Sequence, residues 1–170
     1  MPWSDIVGHE APVGRLRAAI AAGRLHPCLL FEGPDGVGKR LVALRLAQSL
    51  HCAEAARRGG DPCGTCRACV AIASSADPEK TLENQSAHPG VRVLTPSRPD
   101  DREATFGAAG GRGDVRTQIT VSQVRAALAE GMTRGLTPGP RVVIVDPADK
   151  LGESAANALL KTLEEPPPTE

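Results

Sequence analysis

CLLFEGPDGVGKRLVALRLAQSL, residues 28 to 50, is the stretch of sequence that decides the fold. It begins with a short apolar run from Cys28 to Phe31, passes through a glycine-rich turn, and becomes amphipathic from Lys39 onward. This order predicts a β-strand, a loop and an α-helix. Cys28 is expected to be a small buried hydrophobic residue of that strand.

The loop between the strand and the helix reads GPDGVGK and has the G-x-x-x-x-G-K spacing of a phosphate-binding P-loop. Its glycines let the backbone bend so that successive N–H groups point at an anion, and the helix behind the loop adds the positive end of its dipole. Lys39 supplies an ammonium group for the outer phosphate oxygens. We therefore predict a phosphate site at Gly33, Gly36, Gly38 and Lys39; the alternative is an ordinary glycine-rich turn between a strand and a helix.

Arg40 departs from this pattern, because a working P-loop has Ser or Thr after the lysine. The hydroxyl of that residue holds Mg²⁺, whereas an arginine side chain has only donors and cannot coordinate a cation. ATP or ADP binding is therefore expected without a normal magnesium site, and Arg40 is included among the candidate phosphate-binding residues.

A second functional position follows the apolar run Val142 to Val145. Such a run is typical of a buried parallel strand, and Asp146 at its carboxyl end occupies the place of the carboxylate that supports Mg²⁺ in many NTPases. The next residue is Pro147, where many ATPases have a glutamate that polarises water. Because proline cannot orient water, we predict no catalytic residue and no independent ATP hydrolysis.

Four cysteines follow the P-loop helix with the spacing C-x10-C-x2-C-x2-C. Two-residue spacers let neighbouring thiolates converge on one ion, and four sulfur ligands meet the tetrahedral demand of structural Zn²⁺. A closed site of this kind leaves no position for substrate. A redox-active CxxC pair is the alternative. We predict that zinc is bound by Cys52, Cys63, Cys66 and Cys69.

Other segments supply the rest of an α/β domain. A lead-in that contains Trp3 either lies over a nucleotide base or anchors the chain terminus to the core. A second strand is predicted from Val91 to Thr95. Helices are predicted around Val13, Leu16 and Ile20 up to Gly23, after the capping box Thr120-x-x-Gln123, and over Glu153 to Glu164 with Ala156, Leu159, Leu160 and Leu163 buried.

The composition of the chain argues against several classes of function. The chain has 20 basic and 20 acidic residues and only 2% aromatic residues, which argues against a strongly basic nucleic-acid binder. Neither a membrane span of ~20 apolar residues nor a signal peptide is visible, so a cytoplasmic location is expected. Residues 97–116 are rich in Gly, Arg and Asp and predict a flexible exposed loop.

The motifs together resemble a known family. The P-loop region, the four cysteines, the His88-Pro89 strand entry, PGPRVVIVDPADKL at 138–151 and NALLKTLEEPP at 157–167 resemble bacterial clamp-loader subunits of the AAA+ class. Among these, the chain looks most like the delta-prime subunit of DNA polymerase III, because Arg40 and Pro147 differ from the motifs of the ATP-hydrolysing gamma/tau subunits.

This resemblance implies a three-layer P-loop AAA+ (RecA-like) parallel sheet flanked by helices. It implies one domain over 1–170, truncated at its C-terminal end, with an inserted four-cysteine zinc module at about 51–70. The Ser-Arg-Cys motif of the family would lie beyond residue 170.

The function implied by the resemblance is that of a largely non-hydrolysing stator, which helps load the sliding clamp onto primed DNA in replication. Its partners would be the gamma/tau and delta subunits of the clamp loader, with the sliding clamp and DNA reached through the assembly and no membrane involved. An ATP-hydrolysing gamma/tau-type subunit and a zinc-module DNA-binding protein are the alternatives.

Overall fold

The computed structural model describes residues 3–75, 88–96, 118–132 and 139–164. The predicted flexible loop at 97–116 lies outside these residues. Within the described ranges the chain forms five α-helices and two β-strands: α1 Glu10–Ala21, α2 Lys39–His51, α3 Arg67–Ser74, β1 Val91–Leu94, α4 Val121–Met132, β2 Val142–Val145 and α5 Glu153–Glu164.

The two strands form a parallel pair, in which Val91 lies opposite Val142 and Leu94 opposite Val145. The connection from β1 to β2 contains α4, as the crossover between parallel strands requires. This confirms an α/β fold with a parallel sheet. Over the described part of the chain the sheet has two strands, fewer than the full P-loop sheet that the resemblance implied.

Both faces of the sheet are covered by helices. Val91 and Val93 of β1 pack with Leu44 of α2 and Ile72 of α3. Leu94 faces the other way, because side chains alternate along a strand. It belongs to a cluster with Ile119, which precedes α4, with Val124 and Ala127 of α4, and with Ala155 of α5. The described residues therefore form a helix–sheet–helix arrangement around two strands.

The prediction of a strand from Cys28 to Phe31 is wrong. The segment does not form a strand, and Leu30 has 81% of its surface exposed. Cys28, expected to be buried, is also exposed. An apolar run becomes a strand only when a neighbouring strand satisfies its backbone groups, and here β1 and β2 pair only with each other.

The buried face of α5 is also different from the prediction. Ala155 is buried, and Ala158 and Leu159 pack beside it against the cluster shared with α4. Leu160 and Leu163 remain 52% and 43% exposed. The apolar stripe of α5 is wider than the surface that α4 offers, so the outer leucines extend past the contact.

The N-terminal lead-in is anchored to the core through Trp3. This side chain is 3% exposed and packs with Val13 and Leu16 of α1 and with Val42 and Leu46 of α2. The prediction that Trp3 holds the terminus is confirmed. No helix in the described ranges has the length and apolar character needed to cross a membrane.

Candidate metal centre and phosphate loop

The four predicted cysteine ligands come together at the end of α2. Cys52 directly follows this helix and Cys69 lies in α3, while Cys63 and Cys66 belong to the segment between them. Their four Sγ atoms all lie within 4.8 Å of one another. Gly64 has a φ of 76°, a left-handed conformation that turns the chain between the two middle cysteines.

Backbone donors surround the sulfur atoms. The N–H of Cys63 points to Cys52 Sγ at 3.4 Å, and the N–H of Cys66 points to Cys63 Sγ at 3.3 Å. Hydrogen bonds from the backbone N–H groups of Thr65 and Cys66 lower the pKa of the Cys63 thiol to about 6. The pocket therefore favours a thiolate at Cys63, the form that binds metals.

The thiol of Cys69, in contrast, favours the protonated form. It is fully buried, and this burial raises the pKa of its thiol. A buried thiol of this kind is protonated at neutral pH unless a cation beside it stabilises the thiolate. Four converging sulfur atoms with backbone donors are a ligand set that fits one tetrahedral metal ion.

Residues outside the cysteine segment hold this cluster in place. Gln48 of α2 donates from Nε2 to the Cys69 carbonyl at 2.6 Å in a buried hydrogen bond. The Gly60 carbonyl accepts from both Ser49 Oγ at 2.8 Å and Trp3 Nε1 at 3.0 Å. These contacts link the N-terminus, α2 and the cysteine cluster, and no local sequence pattern indicated them.

His51, adjacent to Cys52, packs against a second histidine. Its ring centroid lies 4.4 Å from that of His88, and burial lowers the pKa of both imidazoles. Cβ atoms placed at Gly90 or Gly139 would come within 3 Å of the His51 ring. Glycine at these two positions therefore makes room for the ring.

The phosphate loop connects Gly33 to α2 with three glycines at positive φ: Gly33 at 149°, Gly36 at 75° and Gly38 at 101°. Lys39 Nζ donates to the carbonyls of Gly33 at 2.7 Å and Pro34 at 2.9 Å. The ammonium thus binds carbonyl oxygens of its own loop.

A histidine that the sequence did not single out also contacts this loop. His9 Nε2 donates to the Val37 carbonyl at 2.7 Å. His9 lies 28 positions before Val37 and just before α1, so only the tertiary fold brings them together.

Arg40, which departs from a working NTPase motif, contacts the acid that follows β2. Arg40, in the first turn of α2, donates from Nη1 to Asp146 Oδ2 at 3.0 Å. Its Nη2 donates to the Ser75 carbonyl at 2.9 Å, at the end of α3. The predicted juxtaposition of the P-loop helix with Asp146 after β2 is therefore present, and the contact is an ion pair.

The residue directly after Asp146 is not an acid. Pro147 follows directly, and Asp149, which is 74% exposed, lies 3.9 Å from Lys150. Since general-base chemistry requires an acceptor within hydrogen-bonding reach of the attacking water, position 147 cannot supply it.

With this geometry established, comparison with known proteins identifies the family. The family described as "DNA polymerase III, delta subunit" matches residues 8–170. The chain belongs to this family. The match includes the phosphate loop, all four clustered cysteines and Asp146.

Curated relatives carry two subunit names. The gamma/tau subunit of DNA polymerase III from Mycobacterium tuberculosis (strain H37Rv) is 34% identical over 97% of this chain and 23% of that protein. The delta' subunit from Pseudomonas aeruginosa is 33% identical over 97% of this chain and 39% of that protein. The delta' subunit from Bacillus subtilis is 32% identical over 87% of this chain and 35% of that protein. The chain thus spans well under half the length of these relatives.

Proposed function

We propose that this chain is a delta-prime-type subunit of the DNA polymerase III clamp loader, a stator that does not hydrolyse ATP. The observation that carries the proposal is the contact of Arg40 with Asp146 at 3.0 Å. It joins two positions that an ATP-hydrolysing P-loop protein uses for its metal. Pro147 removes the water-activating acid from the neighbouring position.

The role of the cysteine cluster in this proposal is structural. Cys52, Cys63, Cys66 and Cys69 bind one Zn²⁺ ion, which closes the segment between α2 and α3. Two observations support this assignment. The four sulfur atoms lie within 4.8 Å of one another. Backbone N–H groups donate to the sulfur of Cys63, whereas the sulfur of Cys69 is buried. With four protein ligands the ion has no position for substrate.

The proposed architecture is a three-layer AAA+ domain of which β1 and β2 form part of the parallel sheet. The helices on both sheet faces support it. In this proposal the domain includes 1–170, with the zinc module at about 51–70 as an insertion.

The phosphate loop is proposed to retain the shape of a nucleotide site. The positive φ angles of Gly33, Gly36 and Gly38 support a tightly bent loop, and Lys39 and Arg40 are its cations in this proposal. A bound ATP or ADP would displace the contacts of Lys39 with the Gly33 and Pro34 carbonyls and would serve structure rather than turnover.

One observation favours a second candidate, the ATP-hydrolysing gamma/tau-type subunit. The Mycobacterium tuberculosis gamma/tau protein is as similar to this chain as the Pseudomonas aeruginosa delta' protein, with 34% and 33% identity. Overall identity therefore does not separate the two subunit types. Arg40 and Pro147 support the delta-prime type in this proposal, because they are the positions on which hydrolysis depends.

Assembly tests the proposed role. The purified chain, loaded with zinc, is mixed with gamma/tau and delta clamp-loader subunits, and the mixture is separated by gel filtration. We expect one complex that contains all three proteins and that opens the sliding clamp and places it on primed DNA. Each pairwise mixture serves as a control. Elution of the chain as a separate peak from the three-protein mixture would contradict the proposal.

A further inference from the structure

The contacts of Arg40 decide whether a magnesium ion fits beside the phosphate loop. A P-loop site binds Mg²⁺ through the hydroxyl that follows the lysine and through an acidic residue at the end of a neighbouring strand. In this chain the first ligand is replaced by Arg40, which has only donors. The second, Asp146, already accepts a hydrogen bond from Arg40 Nη1 at 3.0 Å. These residues do not fit Mg²⁺.

The guanidinium is fixed from two directions. Nη1 contacts the Asp146 carboxylate after β2, and Nη2 donates to the Ser75 carbonyl at the end of α3. The side chains of Arg40 and Asp146 are 22% and 27% exposed, so water screens this pair only in part. Charge-assisted bonds in a partly buried setting are stronger than those on an open surface.

We propose that the Arg40 guanidinium acts as a built-in cation that excludes Mg²⁺ from the phosphate loop and makes Arg40 the residue that determines metal specificity. The carboxylate that would attract the metal is neutralised, and a second cation near the guanidinium would be repelled. Any nucleotide phosphate that enters the loop is then held without a metal. The inference rests on the proposed function in one respect, that the loop is of the nucleotide-binding type.

The test compares Arg40→Thr, which restores a hydroxyl ligand and frees Asp146, with the wild-type chain. The matched control is Arg57→Thr, the same change at a side chain that is 83% exposed and lies 3.9 Å from Glu54. Circular dichroism first verifies that each full chain folds with zinc bound. Affinity for a fluorescent ATP analogue is then measured with added Mg²⁺ and in buffer freed of Mg²⁺ before the protein is added, so that the zinc stays bound.

We expect wild type and Arg57→Thr to bind the analogue with affinities that agree within about twofold with and without Mg²⁺, or to show no binding in either buffer. Arg40→Thr should bind at least about tenfold more tightly with Mg²⁺ than without it. This gain should disappear in the double variant Arg40→Thr, Asp146→Asn. If Arg40→Thr gains no magnesium dependence, the inference is wrong.

A measurement on the wild type alone keeps the inference testable if Arg40→Thr does not fold. Electron paramagnetic resonance of Mn²⁺, a substitute for Mg²⁺, should detect no ion held by the wild-type chain beyond the ion bound to free ATP. Immobilised Mn²⁺ that Asp146→Asn releases would overturn the inference. The assembly experiment fails or succeeds independently, because co-elution with clamp-loader subunits does not report on metal at this loop.

Discussion

Loss of the metal from the cysteine cluster should destabilise more than the cluster itself. Cys69 lies in α3 three residues before Ile72, which is fully buried against β1 and β2. Without a central ion the sulfur atoms no longer hold α3 to the end of α2. We therefore expect removal of zinc to loosen α3 and to weaken the core on that face of the sheet.

The size of the effect follows from the contacts that α3 and the cluster make. Release of Ile72 from the core to solvent removes about 1.5–3 kcal/mol of burial energy. The buried Gln48–Cys69 and Trp3–Gly60 hydrogen bonds contribute about 1 kcal/mol each. The total is about 4 kcal/mol, similar to the stabilisation that a metal provides at a thousandfold excess over its Kd.

Urea unfolding monitored by tryptophan fluorescence measures this change, because Trp3 is the only tryptophan and contacts the cluster segment. With an m value of about 2 kcal/mol/M, a loss of 4 kcal/mol lowers the midpoint by about 2 M. Cys69→Ser should show the same shift. Cys28→Ser is the matched control, since this cysteine is exposed and outside the cluster.

Thiol labelling gives an independent readout of the same event. With zinc bound, a thiol reagent should react readily with Cys28 alone; after chelation it should react with all five cysteines of the chain. The reasoning is refuted if the chelator changes neither thiol reactivity nor the urea midpoint, or if Cys69→Ser is as stable as Cys28→Ser.

Three further substitutions test the fold. Gly90→Ala should lower the free energy of unfolding by about 1–3 kcal/mol, because its Cβ would lie 2.7 Å from His51 Cε1. Gly14→Ala, in the exposed middle of α1 with open space around it, should instead raise stability by about 0.4–1 kcal/mol; equal effects of the two changes in thermal denaturation would contradict the packing. Thr120→Ala should destabilise α4 by about 1 kcal/mol, because its hydroxyl accepts from the Gln123 N–H at 3.4 Å in the capping box. An unchanged melting temperature would contradict this role.

Local patterns were sufficient for most elements. The capping box at Thr120 predicted the start of α4, and the apolar run before Asp146 predicted β2 with an acid at its end. The spacing of the cysteines predicted their convergence, because two-residue spacers allow little other geometry. In each case the signal lies within a few consecutive residues.

Long-range contacts decided the rest. The run at Cys28 has the composition of a strand, but pairing depends on which strands lie beside it. Leu160 and Leu163 follow the periodicity of a buried face, but the width of α4 decides which leucines are covered. The sequence indicated that Arg40 was unsuited to Mg²⁺, whereas its contact with Asp146, 106 positions away, required the tertiary structure.

ATP turnover is the most direct test of a clamp-loader subunit that does not hydrolyse ATP. Phosphate release by the zinc-loaded chain is measured with Mg²⁺, with and without primed DNA, and compared with Lys39→Ala. The Arg40–Asp146 contact and Pro147 predict no release above background and no difference between the two proteins. Turnover that DNA stimulates and Lys39→Ala abolishes would contradict this account and would favour the gamma/tau-type function.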